Sequence, residues 1–529
     1  MLNTPRAVRG MVVAPHHLAA EAGLAILREG GNAIEAMVAA SAVAMVVYPH
    51  MTGLGGDGFM LISAPGKAPL AIEAVGRAAA AADLPFYKSR GMARVPARGP
   101  DAAMTVAGTV SGWQRALELS ASRGGRLPLA RLLEDAIFYA REGYGVTASQ
   151  AENTAAKRQE LEGISGFSAT FLSADAAPQV GSRFKNPALA DTLARLAAAG
   201  LDDFYRGALA ERIVAELARA GSPLAAEDFA AHKARVVTPL LLKLKEAELY
   251  NLPPPSQGLA SLVILGIFAR LGVREAEGFA YLHGMVEATK AAFLIRDAHV
   301  TDPDHMRVRA EDFLAERALE EMAGRIDPAR AAQARLNPAP GDTVWMGAAD
   351  ANGLVVSFIH SIYWEFGSGL VLRESGILWQ NRGMAFSLTP GSLHQLLPRR
   401  RPFHTNNPAL ARLADGRVMA YGAMGGDGQP QSQAAVFSRY ALFGRSLKEA
   451  VAAPRWVFGR TWGAERTGLR LERRFDAAAI EALKRAGHEV ELVEPMSQAM
   501  GHAGAVVRRP DGMIEGASDP RSDGAAAGF

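Results

Sequence analysis

The sequence predicts an α+β chain, on three observations along its length. The first third alternates helical and strand-like spacing, the middle is mostly helical, and residues 343–420 are rich in strands and loops. Composition fits a folded protein: 49% hydrophobic, 21% charged and 7% aromatic is a globular profile, which excludes a disordered or fibrous chain. At 529 residues, length alone argues for more than one domain.

"LAAEAGLAILREGGNAIEAMVAASAVAMVV" (18–47) repeats apolar residues at helical intervals, and "GGN" at 30–32 closes one helix and starts the next. "GLGGDGFMLISAP" and the strand-like "PLAIEAVG" follow, then "GTVSGWQRALELSASRGG", a helix ended by its glycine pair. Between roughly 127 and 335 the clearest amphipathic helices are "PALADTLARLAAAG", "GALAERIVAELARAG" and "FAYLHGMVEATKAAFLIRDAH". In "LYNLPPPSQGLASLVILGIFARLG" (249–272) three prolines stop a strand before a buried helix begins. A helical stretch then runs through "EDFLAERALEEMAGRI" to the Ala/Arg-rich "DPARAAQARLNPAPG". Past residue 343 the best strands are "GLVVSFIHSIYW" and "GRVMAYGAMGG". Asp476 caps the helix "AAAIEALKRAG", Gly487 closes it, and the strand "HEVELVEP" comes after.

Charge and apolar content narrow the partners. The 57 basic residues nearly balance the 54 acidic ones and no Lys/Arg block stands out, so a nucleic-acid partner is not indicated. The longest apolar runs, such as "AMVAASAVAMVVY" (36–48), fall short of a bilayer span of roughly 20 residues, so no membrane partner is expected. Residues 1–15 lack the apolar core and small-residue cleavage site of a secretory signal, and a cytoplasmic location is the expectation. Zero cysteines exclude disulfides, a Cys nucleophile and thiolate metal sites.

Several motifs invite chemistry. "GLGGDG" (53–58) fits G-x-G-x-x-G, but that fingerprint needs a helix after it and "FMLIS" is a strand; these glycines read as a tight turn with close backbone packing. His16, His17 and Glu21 tempt a metal reading, yet no second His-rich cluster accompanies them, and neither metal nor cofactor is expected. "AMGGDGQPQ" (423–431) has no GK[ST] and is no phosphate loop, although two glycines after a strand can present N–H groups to an oxyanion. In "NPAPGDTVWMGAADANG" (337–353) a Pro/Gly-rich loop runs straight into Thr343 and an alternating segment. A neutral threonine hydroxyl needs a neighbouring base. A cut between Asp342 and Thr343 would supply one as the new α-amine, whose reference pKa is about 7.7–8.0.

Taken together, "GMVVAPHHLAAEAGLAILREGGNAIEA", "YPHMTGLGGDGFML", "VAGTVSGW", "NLPPPSQGLAS", "DTVWMGAADANGLVVSFIHSIYWEFGSG", "ESGIL", "GASDPRS" and the glycine-aromatic end resemble the γ-glutamyltranspeptidase family of N-terminal nucleophile hydrolases, in order and across essentially the whole chain. The resemblance implies one four-layer αββα sandwich made as an autoprocessed precursor. It implies a cut giving a large subunit, 1–342, and a small one, 343–529, held as a heterodimer that can pair again. Thr343 matches the family's nucleophile, Ser361 a second hydroxyl that hydrogen-bonds it, and Gly425 and Gly426 the pair whose amides form the oxyanion hole.

The substrate-gripping positions depart from that pattern. Val75 stands at the Arg position, with Arg77 displaced by two; His404 and Thr405 replace a serine pair; Ala385 takes the acidic position, Arg382 a Gln and Tyr363 an Asn. An Asp-to-Ala change removes the partner of a buried ammonium. Arg382, His404, Thr405, Asn381, Asn406, Tyr363 and Arg77 are therefore the candidate substrate residues, suited to a small anionic or polar acyl group without an α-amine. Hydrolysis of a small amide such as oxamate is the preferred reading. A γ-glutamyl hydrolase/transferase, a larger-acyl amidase of the cephalosporin-acylase kind and a non-catalytic binding member are the alternatives.

Overall fold

A computed structural model describes residues 3–333, 341–459 and 468–529. Two seven-stranded sheets organise it. From edge to edge the first runs Ala525–Gly528, Gly10–Ala14, Asp342–Asp350, Val355–Tyr363, Asp57–Ser63, Leu70–Ala74 and Arg235–Val237. The second runs Arg6–Ala7, Ile514–Ser518, Ala503–Arg508, Val418–Ala423, Ala409–Leu413, Ala247–Asn251 and Leu240–Lys243. Neighbours within both sheets are antiparallel.

The side-chain period of two sorts each strand's residues between two cores. Phe59, Trp345 and Ile359 from the first sheet meet Leu410, Ala420 and Val506 from the second in a shared inner layer. The Trp345 indole donates to Ser357 Oγ at 2.9 Å and lies under Gly422 and Gly504, where any Cβ would collide with its ring. On the outer face of the first sheet, Met60, Met346 and Val356 pack with the helices Ala33–Val47 and Leu129–Glu142. On the outer face of the second, Ala411, Met419 and Val507 pack with Gly258–Phe268, Phe279–His299 and Gly428–Phe437. The order helix, sheet, sheet, helix is the four-layer αββα arrangement of the N-terminal nucleophile hydrolases. Both sheets draw strands from residues before and after Thr343, so there is one sandwich where length alone pointed to several domains.

Central strands covered on both faces bury every residue, as all nine of Val355–Tyr363 are. The helix Ala33–Val47 is buried all round, and Asn32 and Glu35 form a reciprocal capping box at its start. The "GGN" break, the proline-stopped strand Ala247–Asn251 and the Asp476-capped helix Ala477–Arg485 lie where the sequence put them. The largely helical middle also holds the strands Arg235–Val237 and Leu240–Lys243, which its helical spacing did not announce. Residues 337–340 of the loop before Thr343, and 334–340 of the Ala/Arg-rich stretch, lie outside the described residues. Among the described residues no helix is long and apolar enough to cross a membrane.

Candidate active site

Thr343 stands second in the strand Asp342–Asp350, at the heart of the first sheet. The ladder to Val355–Tyr363 pairs Asp342 with Tyr363 but Val344 with His360, so Thr343 alone faces Ser361 and Ile362 across an irregularity. Such a bulge re-aims a side chain beside an active site. The Thr343 hydroxyl is buried, donates to Asn406 Oδ1 at 3.0 Å and accepts from Gln429 Nε2 at 3.3 Å. Ser361 Oγ accepts the Tyr363 N–H at 2.8 Å, and Ser361 pairs in register with Asp57 on the next strand.

Gly425 and Gly426 leave the strand Val418–Ala423 with φ of 112° and 52°, a left-handed path that glycine follows without strain. Among the described residues neither of their N–H groups has an acceptor, while their carbonyls hold Gly428 N at 2.7 Å and Gln429 N at 3.2 Å. Gln257, from "PPPSQGL", donates to Gly426 O at 2.9 Å and Thr405 O at 2.7 Å, tying this loop to the Thr405 segment. Arg296 fixes that brace by donating to Gln257 Oε1 at 3.0 Å and Asp427 Oδ1 at 2.6 Å. Two free amides on a rigid turn can receive an oxyanion.

A cluster of buried polar groups lies alongside. Arg382 is fully buried; its Cζ sits 3.8 Å from the Tyr363 ring centroid, and among the described residues none of its three guanidinium nitrogens has a hydrogen-bond partner. Burial lowers its pKa to about 10, opposed by Tyr363 and Asp57, so it stays a cation at neutral pH. Tyr363 holds φ of 83°, costly for a non-glycine residue and typical of a ligand clamp. His404 is buried, among the described residues neither ring nitrogen has a hydrogen-bond partner, and burial, then Arg382, keeps it neutral by driving its pKa well below 6.5. Thr405 Oγ1 and Asn406 Nδ2 are unpartnered too, and a Cβ at Gly341 would come within 2.8 Å of Thr405 Oγ1.

Asp57, the fifth residue of "GLGGDG", also belongs to this cluster. Its Oδ1 accepts from Gly76 N at 3.0 Å and Gly108 N at 2.9 Å; its Oδ2 has no hydrogen-bond partner among the described residues and lies 3.6 Å from His404 Nε2. Burial raises its pKa to about 7 against the pull of the Gly76 amide, Arg382 and the Gly108 amide. Sequence reasoning took this motif as a turn alone. The signal it carried was a carboxylate placed where a strand buried on both faces begins.

The fold thus brings Thr343, Ser361, Gly425, Gly426, Tyr363, Arg382, His404, Thr405 and Asn406 to one region. It places two candidates differently. Arg77 is exposed, donating to Arg399 O at 2.9 Å and pairing with Asp304 at 3.4 Å. Asn381 spends its amide on Ala97 O at 2.9 Å and its carbonyl on Trp364 N at 3.1 Å, which braces the turn after Tyr363. His16 caps the helix His17–Arg28 by accepting from Leu18 N at 3.2 Å, and stacks on His17. Among the described residues His283, Glu287 and His488 have ligand atoms within 4.8 Å of one another, but Lys290 Nζ already holds Glu287 Oε1 at 2.6 Å.

Comparison with known proteins extends this geometry. Residues 19–529 match the family model described as Gamma-glutamyltranspeptidase. The chain is 57% identical over 521 residues to the oxamate amidohydrolase proenzyme of Klebsiella pneumoniae, covering 98% of each chain. It is 30% identical over 556 residues to the glutathione hydrolase proenzyme of Escherichia coli, covering 99% of this chain and 92% of that one. Cephalosporin acylase from Bacillus halodurans, a solved structure, superposes with a TM-score of 0.92 at 32% identity, covering 100% of this chain and 97% of that chain.

Proposed function

The chain belongs to the gamma-glutamyltranspeptidase family, and from that premise we propose that it is a self-cleaving threonine amidohydrolase whose substrate is the amide of a small carboxylate-bearing acid, oxamate above all. The observation that carries this reading is Arg382, a buried cation in the same cluster as Thr343 whose three nitrogens have no hydrogen-bond partner among the described residues. A planar guanidinium is suited to a carboxylate, which it can take through two parallel hydrogen bonds. The Klebsiella relative's name agrees with it.

The steps follow from the site. Attack of the Thr343 hydroxyl on the Asp342 carbonyl, and hydrolysis of the resulting ester, divides the chain into 1–342 and 343–529, which stay together as a heterodimer. The freed α-amine of Thr343 then takes the hydroxyl proton as oxygen attacks the amide carbon. Negative charge gathers on the former carbonyl oxygen, where the Gly425 and Gly426 amides receive it. The amine returns the proton to the leaving nitrogen, ammonia departs, and oxalyl remains esterified to Thr343. Water activated by the same amine releases oxalate; in sum, oxamate and water give oxalate and ammonia. Asn406 and Gln429 orient the hydroxyl before attack.

A second reading, γ-glutamyl hydrolysis or transfer, is favoured by one observation: Asp57 beside Arg382 offers an anion to a substrate ammonium. Ammonia release from oxamate, measured beside chromophore release from a γ-glutamyl anilide, separates the two. Oxamate turnover with an inert anilide is expected; the reverse result would replace this reading with the second. Thr343→Ala is expected to give a single uncut chain without activity, and cleavage at that bond in the variant would remove Thr343 from the mechanism.

A further inference from the structure

We propose that Asp57 determines specificity in this site: its free Oδ2 binds the carboxylate of the acyl group through one shared proton, with the Arg382 guanidinium supplying the balancing charge. This rests on the reading of the substrate as a small carboxylate-bearing amide.

Placement comes first. Gly55 and Gly56 let the "GLGGDG" turn lie against the Leu378 and Ser361 carbonyls, where side chains would collide. That close approach sets Asp57 in register with Ser361, which in turn faces Thr343 across the irregular pairing. Strands lie roughly 4.8 Å apart, so Asp57 stands two strands, about 10 Å, from the Thr343 backbone. A two-carbon acid amide with its amide carbon at the Thr343 hydroxyl fits that interval, its carboxylate directed away from the threonine.

Commitment of atoms comes second. Oδ1 is fixed by the Gly76 and Gly108 amides; among the described residues Oδ2 has no hydrogen-bond partner of normal geometry, with the Gln380 amide alongside the carboxyl. The groups facing it are His404 at 3.6 Å, Arg382, the Gln380 amide and, farther off, the Tyr205 hydroxyl. His404 is held neutral and the Tyr205 hydroxyl is driven upward by burial, so neither balances an extra anion. Arg382 provides one positive charge, while an ionised Asp57 and a bound carboxylate provide two negative ones. Two carboxylates in one buried site do not both stay ionised. A proton between them turns repulsion into a short, strong O–H···O⁻ hydrogen bond. The burial that raises Asp57 to about 7 already prepares it for this role. The proton comes from solvent on binding and returns when product leaves; no covalent bond changes. A substrate presenting an ammonium at this position would need no such proton, so proton uptake on binding distinguishes an oxalyl-type acid from an amino acid.

The test uses the mature, cleaved protein and oxalate, the product of the proposed reaction. Calorimetry at pH 6 to 9, in buffers of different ionisation heat, gives both affinity and protons taken up. For the wild type, uptake approaching one proton above pH 7 is expected, with affinity weakening about tenfold per pH unit, the slope of one linked proton. Asp57→Asn carries a permanent N–H donor at this position and is expected to lose that proton uptake, keeping only the pH dependence that the Thr343 α-amine contributes. Wild-type binding without proton uptake overturns the inference whatever the variant does and leaves the oxamate reading standing. An unchanged pH slope in a folded Asp57→Asn protein also overturns it. Absence of oxalate binding by the wild type rejects the oxamate reading and the inference together. Glutamate binding that is lost in Asp57→Asn without any proton linkage assigns Asp57 to an ammonium instead.

Discussion

Arg382 stacks on Tyr363 and, among the described residues, leaves its hydrogen-bonding nitrogens unspent, although a buried guanidinium ordinarily satisfies them. A ligand that satisfies them recovers part of the desolvation cost, which is the physical basis of the carboxylate-binding role proposed for this residue. Arg382→Ala is expected to raise KM and lower kcat/KM on oxamate by more than a hundredfold, about 3 kcal/mol for the lost charged hydrogen bonds. Steady-state kinetics on a variant that still cleaves itself check this, and unchanged kinetics would end the carboxylate role. Motif order made Thr343, Ser361, Gly425, Gly426, Arg382 and the 404–406 segment legible in the sequence. Asp57, Gln257, Arg296 and Gln429 were not legible as site residues, because their partners lie on other elements and only tertiary packing brings them in. Nor could the sequence show that Asn381 spends its side-chain amide on the Ala97 carbonyl and the Trp364 N–H.

At the scale of elements, the loop between the strand Val418–Ala423 and the helix Gly428–Phe437 is fixed from two sides. Gln257 holds it from the Thr405 side. From the other side, His502 O accepts the Met424 N–H at 2.9 Å, while Asp519 Oδ2 accepts Ala503 N at 2.7 Å and also pairs with Arg455. Gly425→Ala would place a side chain at φ of 112°, so the turn must shift and its amides with it. A kcat loss of about 100- to 1000-fold is expected, with KM changing much less, as befits donors that matter most in the transition state. Equal losses in both parameters would instead indicate a general collapse of the pocket. Helices and central strands were the most legible elements, since each carries a long apolar pattern. Leu240–Lys243 escaped notice because four residues of alternating burial at a sheet edge give a weak signal beside long helical runs.

The whole molecule answers to acid through its buried ion network. Burial favours the neutral form of Asp519, yet Arg455 and Arg521 outweigh it and hold the carboxyl down at about 2. A carboxyl lowered on folding adds stability above its unfolded value near 4, and that contribution disappears as pH falls from about 4 to 2. The amount is about 2 kcal/mol. Melting temperature followed from pH 5 to 2 is expected to drop steeply in that window. Asp519→Asn is expected to be less stable at neutral pH and to lose this part of the acid response; an identical drop in the variant would place the sensitivity elsewhere.

The sheet order has a consequence for how often such a molecule can be made. In the first sheet, Asp342–Asp350 lies between Gly10–Ala14 and Val355–Tyr363, so chain from either side of residue 342 alternates through the same hydrogen-bonded ladder. While the backbone is continuous, those strands find one another as parts of one polymer. If the bond before Thr343 opens as proposed, two separate polymers would have to meet and interleave, at a rate that depends on dilution. On the proposed cleavage, each copy is assembled once, in its uncut form. Such a cut molecule would persist only by not unfolding, its working lifetime set by the barrier to opening the sandwich rather than by an equilibrium between folded and unfolded chains.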